Sequence, residues 1–149
     1  MLLTTALQDA SLVSYIARLD LKGCCEKQLA DLGVDDAYYA WHLCTTYGKK
    51  ANTILERTSF FASGSIEQRL IRAELWYCIN FEMTNSLADF FVRRTGRLYF
   101  NIESISKHLD VIINDFVRSL DWDENRVHEE KTLLNQLLAD ATTYYDSEF

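Results

Sequence analysis

The chain has 149 residues, 48% hydrophobic and 25% charged, with a net charge of −7. That balance excludes a disordered tail, and no apolar run approaches the roughly 20 residues that cross a bilayer. The acidic field excludes general nucleic-acid binding, which needs positive charge to displace counterions.

Proline is absent and glycine occurs five times. A chain so poor in punctuation, and rich in Leu, Ala, Glu and Lys, predicts an all-α fold. Residues 1–149 are read as one compact domain of seven or eight helices. Gly23, Gly33, Gly48, Gly64 and Gly96 are expected to end helices. The opening "MLLTTALQDASL" has no basic leader or small-residue cleavage site, so no signal peptide is expected.

The first predicted helix covers "TALQDASLVSYIARL", with Leu7, Ala10, Val13, Ile16 and Ala17 on one side. A short one, "CEKQLADLG", follows. The third, "DDAYYAWHLCTTYG", is capped by Asp35 or Asp36. The fourth, "KKANTILER", leads into the loop "TSFFASGS". The fifth begins at Ser65 and runs through "IEQRLIRAELWYCINFEM". Its second half is apolar almost all round, which marks a central helix. Ser86 and Asp89 resemble a capping box opening a helix from Leu87 to Thr95. The seventh helix is the clearest, with Ile102, Ile105, Leu109, Ile112, Ile113, Phe116 and Leu120 at helical spacing. Asp121 and Glu124 form another capping-box pattern before "NRVHEEKTLLNQLLADA". The tail "TTYYDSEF" is expected to fray.

Chemical motifs are sparse. The chain has no G-x-G and no P-loop, so it lacks both common glycine-rich ways of cradling a nucleotide. "DWDENRVHEEKT" places Asp121, Asp123 and Asn125 like the first ligands of a calcium loop. Arg126 and Thr132 replace its glycine and bidentate glutamate, so a capped helix start is expected instead. His42, His108 and His128 never follow a glutamate by three residues, and His42 and Cys44 diverge on one helix; no metal site is expected. Cys24, Cys25, Cys44 and Cys78 form no C-x-x-C pair and are read as reduced thiols of a cytoplasmic protein.

Arg93, Arg94 and Arg97 stand among aromatics in "FEMTNSLADFFVRRTGRLYF". Asp89 precedes Arg93 by four residues, the favourable order along a helix. Glu74 and Glu82 lie two turns apart on the fifth helix. The favoured reading is that Glu74, Glu82 and Asp89 brace Arg93 and Arg94 across a helix–helix contact. Arginines facing a neighbouring domain or an anionic ligand, or meeting nucleic acid, are the alternatives. No catalytic, cofactor-binding or metal residue is assigned.

The segment "AELWYCINFEMTNSLADFFVRRTGRLYF" resembles the C-terminal domain of the FAD-dependent glycerol-3-phosphate dehydrogenases and oxidases. Glu74, Tyr77, Glu82, Ser86, Asp89, Arg93, Arg94 and Thr95 carry the likeness. Upstream, Tyr47, Gly48, Ala51 and Ile54 fit it, and "DWDENRVHEEKTLLNQLL" resembles the family's closing helix. The resemblance implies the C-terminal domain of a larger flavoenzyme whose N-terminal part binds FAD. Such a parent oxidises sn-glycerol 3-phosphate to dihydroxyacetone phosphate, passing electrons to quinone or oxygen. The implied role here is docking and support without chemistry or a cofactor of its own, with Glu74, Glu82, Asp89, Arg93, Arg94 and Thr95 as the motif. The implied partner is the N-terminal flavin domain, in a cytoplasmic parent that could sit at the inner face of the membrane. An apolar docking face would also favour a homo-oligomer of the isolated chain. A free-standing all-α interaction module is the alternative. The loop "RTGRLYFNIES" is more aromatic and basic than the resemblance implies, which makes Arg97 and Tyr99 candidates to meet a partner surface.

Overall fold

The computed structural model describes residues 20–34 and 37–143. The first expected helix, the Asp35 and Asp36 caps and most of the expected frayed tail lie outside them. Among the described residues the fold is all-α, with seven α-helices and no strand. The chain divides into two compact units, between Ile66 and Glu67.

In the first unit, helix α1 covers 20–31 and runs straight through Gly23. The helix end placed at Gly23 is therefore corrected; a Cβ there would meet nothing within 4 Å, so the glycine is no packing requirement. Gly33 does end α1. Its φ is +83°, Val34 N–H bonds the Leu29 carbonyl at 2.9 Å, and Gly33 N–H bonds Ala30 at 2.9 Å. This paired pattern satisfies the last carbonyls of a helix, with apolar Val34 and Leu29 both buried beneath it. Helix α2 (Ala37–Tyr47) buries Tyr39, Ala40, Leu43 and Tyr47. His42 is buried beside them, stacked on Tyr38 at 5.9 Å. A tight turn, Gly48–Lys50, leads into α3 (Ala51–Thr58), which buries Ala51, Ile54, Leu55 and Thr58.

The second unit is built on α4 (Ile66–Glu82), which buries Leu70, Ile71, Ala73, Leu75, Tyr77 and Cys78. A π-helical turn occupies Asp89–Arg94. Helix α5 (Arg97–Phe100) follows Gly96, which holds a φ of +62°. Helix α6 (Ile102–Leu120) turns Ile105, Ile112, Ile113 and Phe116 inward from the predicted stripe. Helix α7 (Glu124–Thr142) closes the unit and buries Leu134.

Three details depart from expectation. The helix from Leu87 to Thr95 is mostly π-helical, because Thr95 donates both its backbone N–H and its hydroxyl to the Phe90 carbonyl, each at 3.0 Å. The expected loop after Gly96 contains α5. Asp121 does not cap α7; it closes α6 with a φ of +53°, and Asp123 accepts the Arg126 N–H at 2.7 Å instead.

Candidate functional site

The end of α4, the π-helical turn and α5 gather the charged residues of the second unit. Ser86 opens the turn by accepting the Asp89 N–H at 3.0 Å, half of the predicted capping box. The Asp89 carboxylate is spent elsewhere. It lies 3.7 Å from Arg93 and 3.8 Å from Arg94. Arg94 also reaches Glu82, at 3.4 Å to the carboxylate and 3.0 Å to the backbone carbonyl. Arg94 therefore clamps the C-terminus of α4, where unsatisfied carbonyls favour a cation. Glu82, Asp89 and Arg94 come together. Arg93 touches the group only through Asp89, and its side chain is 80% exposed.

Glu74 does not join them, which changes the reading of two residues. It is buried with Arg97, Nη2 to Oε2 at 3.0 Å, and both side chains are 2% exposed. Arg97 Nη1 donates to Ser104 Oγ at 3.1 Å, and Ser104 in turn donates to the Asn101 carbonyl at 2.8 Å. Arg97 is thus an interior brace and not a partner contact. Gly96 and α5 turn it inward, while Tyr99 from the same helix stays 69% exposed.

Two further ionic groups frame the unit. Arg72 holds Asp115 in a fork, at 2.7 and 2.8 Å, tying α4 to α6. Glu130 was not anticipated. Its carboxylate accepts the Leu87 N–H at 2.8 Å and binds Arg126 at 2.7 Å, so α7 caps the helix that starts at Leu87. The four-residue step from Arg126 to Glu130 was visible, but no sequence pattern announces a cap from 43 residues away. Glu67 pairs with Lys107, whose hydrogen bond holds the carboxyl below its usual range. Buried His108 has Nε2 3.9 Å from Glu67, and burial pushes its pKa down, with Lys107 and Arg97 adding to the effect. Burial, and then Glu82, pushes the Tyr77 hydroxyl up.

The acidic and basic groups of this arrangement are joined in ion pairs, while buried Arg94 Nε and His108 Nδ1 take no hydrogen bond among the described residues. Among the described residues no group of three or more His, Cys, Asp or Glu side chains is placed to hold a metal. A cavity of about 450 Å³ is lined by Asn85, Leu120, Asp121, Trp122, Asp123 and Arg126. Two carboxylates border it, and its guanidinium is already held by Glu130. It does not fit the pyrophosphate of a flavin nucleotide. No helix of the described residues is long and apolar enough to cross a membrane.

Outside the second unit's ion pairs, apolar side chains stand in solvent. Phe81 is 60% exposed, Met83 87% and Phe100 73%. Aromatic and methionine side chains are enriched at protein interfaces.

The aerobic glycerol-3-phosphate dehydrogenase of Bacillus subtilis is 35% identical over 105 residues, which are 68% of this chain and 19% of that protein. The alpha-glycerophosphate oxidase of Streptococcus pyogenes is 30% identical over 113 residues, 75% of this chain and 18% of that protein. The chain thus spans about a fifth of the length of these relatives. The crystal structure of glycerol-3-phosphate dehydrogenase from Bacillus halodurans, complexed with FAD, superimposes with a TM-score of 0.67 at 25% identity. That match covers 85% of this chain and 26% of the solved one. A family model, the C-terminal domain of alpha-glycerophosphate oxidase, matches residues 17–127. That stretch contains the whole Glu82–Asp89–Arg94 clamp and the buried Glu74–Arg97 pair, and with it the chain belongs to the family of C-terminal domains of alpha-glycerophosphate oxidase.

Proposed function

We propose that residues 1–149 act as one C-terminal helical domain of an FAD-dependent enzyme that oxidises sn-glycerol 3-phosphate to dihydroxyacetone phosphate. In this reading the chain supplies support and docking. The flavin and the chemistry belong to the N-terminal part of the parent. The observation that carries the proposal is the match to a C-terminal family domain by a chain in which Glu74, Glu82 and Glu130 are held in structural pairs with Arg97, Arg94 and Arg126.

Glu74, Glu82, Asp89, Arg94 and Thr95 hold α4, the π-helical turn and α5 rigid. Arg93, with Phe81, Met83, Tyr99 and Phe100, faces outward and meets the flavin domain. The parent works in the cytoplasm, and nucleic acid has no part in it, in keeping with the net charge of −7.

The test compares the purified chain alone with the chain expressed together with the parent's N-terminal part. The chain alone is expected to be colourless and inactive towards glycerol 3-phosphate. The paired proteins are expected to co-purify, with a flavin spectrum and dye-reducing activity. A flavin spectrum from the chain by itself would overturn the assignment.

A further inference from the structure

Three exposed apolar side chains of the second unit are tied to one ionic clamp. Phe81 and Met83 flank Glu82, which Arg94 holds through both its carboxylate and its carbonyl. Phe100 belongs to the Arg94 end. Its ring covers Gly96, two residues past Arg94, so closely that a Cβ on Gly96 would stand 3.2 Å from it. Phe81 is steadied in turn by Trp76 and Tyr77, with ring centroids 5.6 and 5.0 Å away. These anchors are set in place before any partner arrives, which lowers the ordering cost of docking.

Arg93 is joined to the same clamp by Asp89, whose carboxylate lies 3.7 Å from Arg93 and 3.8 Å from Arg94. One acid thus serves two guanidiniums, at distances too long for hydrogen bonds. Arg94 has Glu82 as well. The Arg93 side chain, 80% exposed, gives its donors to water.

We propose that Arg93 selects the partner of this face, by pairing with a carboxylate beside an apolar recess on the parent's flavin-binding part. The inference rests on the docking role proposed above and adds the chemistry of the surface that is met. Two observations favour that occupant over a second copy of this chain. The matched stretch is 19% of one relative and 18% of another, so most of each lies outside it and offers a surface to meet. Two copies of a chain carrying −7 repel each other. Docking on Phe81, Met83 and Phe100 strips water from Arg93, and its donors then need acceptors. A carboxylate matches the planar fork with two parallel bonds. Asp89 is too distant to supply them and is shared with Arg94.

The test is calorimetric titration of the chain into the parent's flavin part. Arg93→Glu is expected to weaken binding about tenfold or more, while the melting temperature of the chain stays within about 3 °C. Arg93→Lys, which keeps the charge and loses the fork, is expected to bind between the two. Among single surface carboxylates of the flavin part reversed to lysine, one is expected to restore binding of the Arg93→Glu chain. Binding that is lost with Phe81→Ser and Phe100→Ser together but indifferent to Arg93→Glu would overturn this proposal and leave the docking role standing. Failure of every reversal to restore binding would do the same. No binding by the unchanged chain, or a dimer of it that the two serine changes dissolve, would overturn both.

Discussion

Arg97 carries a permanent charge to a place where 1% of the residue meets solvent. It is tolerated there because Glu74 neutralises it at 3.0 Å and Ser104 takes a second donor. Taking away one charge would strand the other. Glu74→Gln is expected to destabilise the chain by roughly 3–5 kcal/mol, read from the urea midpoint. Arg93→Ala should cost less than about 0.5 kcal/mol in the same assay, because its side chain is 80% exposed and its ion pair with Asp89 is screened by solvent. An equal loss in both variants would contradict the division of the arginines into interior brace and surface group. His108 gives a pH signature. Its folded pKa lies below the ordinary 6.5, chiefly through burial, so between these values the unfolded chain binds the proton more readily. Stability is therefore whole above about pH 6.5 and is lost as the pH falls towards the folded value. Replacing His108 by leucine should flatten that part of the stability profile.

At the scale of elements, the π-helical turn depends on one carbonyl. Phe90 C=O accepts twice from Thr95, which is 4% exposed. Thr95→Val removes the hydroxyl donor and is expected to cost about 1 kcal/mol. Asp123→Ala, which strips the cap from α7, should cost about as much by thermal melting. The helices themselves could be read from periodicity, since the α6 stripe and the α4 core face follow from residue spacing alone. The clamp of Glu82, Asp89 and Arg94 was legible for the same reason, being local in sequence. What escaped reading was set by tertiary contact. Gly23 is tolerated inside α1, where propensity alone disfavours it. Ser86 and Asp89 looked like a capping box, but the arginines claim the acid. Glu74 sits two turns before Glu82, yet the backbone reversal at Gly96 brings Arg97 to it in place of Arg93 or Arg94. Glu130 reaches Leu87 through packing of α7, which no local signal encodes.

At the scale of the whole molecule, the proposed docking role makes the exposed aromatics matter more than the ion pairs. Phe81→Ser combined with Phe100→Ser is expected to leave the melting temperature of the isolated chain within about 2 °C. The same change should weaken capture of the parent's flavin part about tenfold or more, measured by titration calorimetry. Unchanged affinity would place the contact surface elsewhere. Met83 offers the opposite experiment. It is a long thioether side chain 87% in solvent, on a backbone with a φ of +54° that only glycine adopts freely. Met83→Gly should relieve about 1 kcal/mol and raise the melting temperature of the solitary chain while loosening its grip on the parent. Thermostability and assembly would then pull this position in opposite directions, so a variant selected only for heat resistance would drift towards an inert fold.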